Sequence, residues 1–147
     1  MTPGLFRVSA AGASVVMATA SAFVVWLSVF DGPWLTYPIQ PFPVLMQPVH
    51  AGEVVPLSVL RCNNGEATRT YIFSHSLVSV DKARPDVILP PITSSIAPGC
   101  ATVESRVNIV PPGTAPGRYR IDGNTEINGI VRSFSVLWNS EVFEVVP

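Results

Sequence analysis

Residues 8–30 run without a single charge, and their apolar and small side chains show neither the alternation of a strand nor the polar face of a surface helix. At about 1.5 Å per residue, a helix over this stretch is roughly 34 Å long, enough to cross the hydrocarbon core of a bilayer. Beyond it the pattern changes to short alternating runs. Residues 54–61 place Val55, Leu57 and Val59 on one face. Residues 68–80 put Tyr71, Phe73, His75, Leu77 and Ser79 on one parity, and Ile72, Val78 and Val80 among hydroxyl residues on the other. Apolar residues on both parities predict a bulge or register break around 74–76. In residues 101–110, Val103, Ser105, Val107 and Ile109 oppose Thr102, Glu104, Arg106 and Asn108, the signature of a strand with one wet face. Residues 133–146 carry Phe134, Val136 and Trp138, then Phe143 and Val145 after a break at Asn139-Ser140.

Turn residues separate these runs at 50–53, 62–65 and 97–100, and residues 82–91 read as a proline-bounded crossing containing the short apolar piece Val87-Ile88-Leu89. Residues 124–128 read as a loop or short hairpin. About seven short strands at roughly 8–15-residue spacing make the expected fold all-β, a sandwich, preceded by one helix. The expected layout is an N-terminal segment 1–7, a transmembrane helix 8–30, a proline-rich neck 31–48 and a sandwich 49–147. Prolines 33, 38, 41, 43 and 48 keep the neck extended, with an edge strand around 42–47.

Three readings of residues 8–30 are open: a retained anchor, a cleaved signal peptide with small-x-small sites at 18–20 or 20–22, and a buried helix. Cleavage would leave Phe23, Val24, Val25, Trp26 and Leu27 exposed at a new terminus, which favours the anchor. Arg7 precedes the segment and Asp31 follows it, so the positive-inside rule keeps the N-terminus cytoplasmic and places the domain outside the inner, plasma membrane, with the bilayer as first partner. Trp26 and Trp34 are expected at the outer interface. Ala10, Ser14, Ala18 and Ala22 recur every four residues, a small-residue stripe that permits close helix packing and self-association, although small residues are common in such segments anyway.

Composition narrows the picture only a little. Charged residues make up 13% of the chain and the net charge is −1, which leaves no electrostatic footprint for nucleic acid. Arg118, Arg120 and Arg132, together with Arg106, are a candidate polar interaction strip, the plainer alternative being a solvated face.

Residues 111–121 (PPGTAPGRYRI) lead through prolines and glycines into a strand with Tyr119 and Ile121 facing inward. This segment resembles the approach to the sixth strand of immunoglobulin-like and fibronectin III-like sandwiches, where a P-x-G-x-Y pattern is frequent, and the resemblance implies a tyrosine corner. The resemblance covers residues 36–147 at the level of architecture, since no Trp lies between Cys62 and Cys100. A single span, a neck and a small sandwich together are similar to small single-span envelope proteins encoded by bacteria and phages.

Cys62 and Cys100 fall on the expected outer side, and a bridge between them is the favoured reading, with free buried thiols as the alternative. No G-x-S-x-G, H-E-x-x-H, C-x-x-C or phosphate-binding glycine loop is present, so the expectation is a protein without enzymatic activity or cofactor. Met46, His50, Cys62 and His75 supply the soft and imidazole ligands of a copper carrier, which makes envelope metal handling the second functional class. The first is an interaction or structural module that meets a protein partner in the membrane, envelope or virion.

Overall fold

The computed structural model describes residues 3–81, 84–129 and 132–147, with side chains of the first helix described over 12–26. The chain divides into two compact units, one holding residues up to Gly32 together with Gly129 and Arg132, the other beginning at Pro33 and holding every strand.

The first unit contains α1 (Pro3–Phe30), a continuous helix in which all described side chains are exposed. The expected span over 8–30 extends past those side chains at both ends, and among the described residues no helix is long and apolar enough to cross a membrane. After the helix, the buried Asp31 carboxylate accepts the Arg132 backbone N–H at 3.0 Å.

The second unit is all-β, with nine strands among the described residues. One sheet has the order β1 (Leu35–Thr36), β3 (Val54–Asn63), β6 (Gly99–Ile109). The other runs β2 (Val49–His50), β9 (Phe143–Val146), β7 (Gly117–Asn128), β4 (Arg69–Ser79), β5 (Val87–Ile96), with β8 (Ser133–Asn139) also pairing β7. Inward rows of both sheets, among them Val55, Leu57 and Val59 from one and Tyr71, Phe73, Leu77 and Ile121 from the other, merge into a single core. Strands β5 and β6 are the free edges on one side.

Several expectations change on contact with this topology. Residues 31–48 are not a free neck: Trp34, Leu35 and Phe42 are buried in the core, and β1 pairs β3. Aromatic and apolar side chains between the prolines found a core to fill, and the backbone at 42–45 joins it through the bridges Phe42 to Ser140 and Val44 to Leu57. Trp34 therefore does not sit at a bilayer interface. Its indole N–H donates to the Asn128 carbonyl at 3.2 Å, and the Arg69 guanidinium lies 5.2 Å above its ring.

Strand β5 continues straight through Pro90-Pro91, which the proline signal had turned into a crossing. The pairing shifts between Phe73 opposite Ile92 and His75 opposite Leu89, so two prolines oppose the single Ser74. A bulge on an edge strand absorbs residues that cannot donate to the ladder, and the break expected near Ser74 is this bulge. Residues 124–128 likewise belong to β7, paired to β8 rather than looped.

A second bulge changes which side chains of β6 face inward. Val55 pairs with Asn108 and Leu57 with Ser105, leaving Arg106 and Val107 opposite Pro56. The extra residue inverts the parity that places Val103 inward. Asn108 and Val110 are consequently buried at 1% exposure, while Val107 and Ile109, expected inside, are 41% and 51% exposed.

Candidate functional site

The inward row of β3 reads Val55, Leu57, Val59 and then Arg61, because alternate residues of a strand share a face. A half-buried arginine thus continues the row that begins in the core. Its Nη1 donates to the Tyr71 hydroxyl at 2.7 Å and to the Ser94 hydroxyl at 3.1 Å. Its Nε–H is buried and has no hydrogen-bond partner among the described residues. Leaving a buried donor unmatched costs about 1–3 kcal/mol, and no carboxylate among the described residues forms an ion pair with this arginine.

Arg61 borders a cavity of about 240 Å³ between the two sheets, on the side where β5 and β6 are unpaired. Leu57, Val59, Ile92 and Val103 form its aliphatic walls, and Tyr37, Phe42, Tyr71, Phe73 and Trp138 its aromatic ones. The aromatic side is ordered. Phe42 stacks on Trp138 with centroids 5.3 Å apart, and Phe73 meets the same indole edge-on at 5.9 Å.

Hydroxyls continue the polar thread inward. Tyr37 and Thr125 share a hydrogen bond of 3.1 Å, and the Trp138 indole N–H donates to Thr125 at 3.1 Å. Burial raises the Tyr37 phenol well above its ordinary pKa, against the Thr125 hydrogen bond, which lowers it. Asn108, turned in by the β6 bulge, also lines the cavity, and its buried Oδ1 has no donor among the described residues. At the rim, Glu104 accepts from Arg106 Nε at 2.7 Å, an exposed pair that leaves Arg61 uncompensated.

Arg61 was legible in the sequence as the next step of the Val55, Leu57, Val59 row. Asn108 was not, since only the bulge brings it inside.

The residues singled out from sequence do not converge on this cavity or on one another. Cys62 and Cys100 are bridged, as register partners across β3 and β6 within one sheet. That bridge removes Cys62 as a copper ligand. His75 is a core residue of β4, its imidazole 5.5 Å from the Phe73 ring, and burial lowers its pKa. His50 lies on β2, where Nδ1 is 2.6 Å from the Pro147 carbonyl oxygen, and Met46 is exposed. Among the described residues, no three His, Cys, Asp or Glu side chains are grouped to hold a metal ion.

The arginines do not form one strip. Arg106 sits on β6 and Arg118 and Arg120 on β7, in different sheets, while Arg132 belongs to the other unit beside Asp31. Arg120 pairs with Asp122 at 2.8 Å on the exposed face. Ser14, Ala18 and Ala22 lie on exposed positions of α1, and the side chain of Ala10 is outside the described residues. Set against known proteins, the chain matches no family model and no curated relative.

Proposed function

We propose that this chain is a non-enzymatic interaction module: an immunoglobulin-like sandwich anchored by residues 8–30 and held on the outer face of the inner membrane, or within a phage or envelope assembly. The observation that carries the reading is the exposed apolar surface of α1, where Val16, Met17, Phe23 and Val25 are 60–72% exposed. Apolar surface of that extent on a charge-free stretch of helix matches lipid better than water. Arg7 orients the N-terminus to the cytoplasm, and the Cys62–Cys100 disulfide suits an oxidising compartment.

The immunoglobulin-like assignment draws support from the strand order and from Tyr119, whose hydroxyl donates to the Ala115 carbonyl in the manner of a tyrosine corner. The surface offered to a protein partner is the free edge of β5 and β6, where Ile88, Val107 and Ile109 are exposed. Crosslinking in intact membranes, followed by identification of the adducts, tests the reading. Adducts through β5 or β6 in alkali-resistant membranes support it. A mature N-terminus near Ser21 or Phe23, or recovery of only monomer, overturns it.

A further inference from the structure

We propose that the cavity around Arg61 is a binding site for a small monocarboxylate with an apolar, preferably aromatic, body. Two features point to this class. The walls are aliphatic and aromatic, so the bulk of the occupant is apolar. The cation on the inward row of β3 is Arg61, whose Nε–H has no partner among the described residues and whose Nη1 is positioned by Tyr71 and Ser94. Both hydroxyls accept from the guanidinium and hold it at the cavity wall. A carboxylate beside Arg61 would receive charge-assisted hydrogen bonds from the guanidinium, the pairing for which it is shaped.

Size excludes the larger anionic amphiphiles. At about 30 Å³ per water in the liquid, 240 Å³ is the space of roughly eight waters, which fits an occupant on the order of ten non-hydrogen atoms and not a long acyl chain. Access is from the β5 and β6 edges, where, among the described residues, no strand pairs across the gap between sheets. Glu104 at the rim is engaged by Arg106 and does not compete for Arg61.

The test uses the full chain in lipid nanodiscs, since detergent is itself an anionic or neutral amphiphile, and two probes: 4-phenylbutyrate and its uncharged amide. Binding is read from tryptophan fluorescence, Trp138 lying in the wall, and from ligand-observed saturation-transfer NMR. The carboxylate is expected to bind saturably and at least ~10-fold more tightly than the amide. Arg61→Gln should abolish the preference, leaving acid and amide equal. Should Arg61→Gln fail to fold, Ile92→Trp decides the matter: it fills the cavity from the edge strand and leaves Arg61 in the chain, and both probes should lose binding. Equal binding of acid and amide to the unmodified chain, no saturable binding of the acid, or undiminished binding to a folded Ile92→Trp chain would each overturn the assignment.

Discussion

The Tyr119 hydroxyl donates to the backbone carbonyl of Ala115 across 2.8 Å, tying the start of β7 to the loop that leads into it. The ring is buried at 4% exposure, and Arg84 Nη1 donates to the same oxygen at 3.2 Å. Tyr119→Phe keeps the apolar packing and removes both hydrogen bonds. A half-buried carbonyl then loses its donor, so the variant should be about 1 kcal/mol less stable. Urea unfolding should show a lower midpoint at unchanged slope; an unchanged midpoint would mean that the corner contributes nothing.

Gly123 stands directly opposite Trp138 in the β7–β8 pairing, and the space a side chain would need there is filled by the indole. The bare glycine backbone lets the ring lie flat across the strand and reach Phe42. Gly123→Ala forces Trp138 out of that stack, with an overpacking cost of about 1–3 kcal/mol. A red shift in tryptophan emission should accompany the loss of stability. Native emission in Gly123→Ala would show that the indole has room to move.

Arg61 and Asn108 differ in how they reach the cavity: one follows from plain alternation along its strand, the other only from a bulge. Alternation located β3, β4 and β6, and even the break near Ser74, because apolar spacing follows directly from which face is buried. It also held Arg61 in plain view. What alternation cannot register is an extra residue: the bulge at Arg106-Val107 exchanges Asn108 for Ile109 in the core without any change in local composition. Proline misled in the opposite direction. Pro90-Pro91 argued against a strand, yet on an edge their missing N–H groups cost no ladder bond, and the apolar side chains between the neck prolines entered a core that lies far away in sequence. Such outcomes depend on which strand ends up at an edge, a property of the whole sheet.

The disulfide closes a loop between residues 38 apart in sequence, joining strands that are already hydrogen-bonded neighbours. In the loop-entropy picture such a link contributes about 4 kcal/mol by restricting the unfolded chain. The double variant Cys62→Ser/Cys100→Ser should therefore fold to the same sheet structure with a urea midpoint lower by an amount corresponding to about 2–4 kcal/mol. Reduction of the unmodified protein should reproduce the shift. If reduced and oxidised chains unfold at the same urea concentration, the strand pairing alone fixes this end of the sheet.

His75 makes stability depend on pH with a definite sign. Its imidazole is 4% exposed, and desolvation lowers the folded-state pKa below the usual value near 6.5. The unfolded chain therefore takes up the proton first as pH falls, so unfolding binds protons and is favoured by acid. The contribution of neutral His75 is fully present above about pH 6.5 and declines below it, with a limiting slope of about 1.4 kcal/mol per pH unit, until the folded state titrates too. Nδ1 has no partner in the protein that would hold a proton in place. His75→Gln keeps a polar side chain of similar length without titrating in this range. Urea midpoints measured from pH 7.5 to 5 should fall more steeply for the unmodified chain than for His75→Gln, with the two curves parallel above pH 7. Parallel curves across the whole range would place the His75 imidazole in contact with solvent in the folded state.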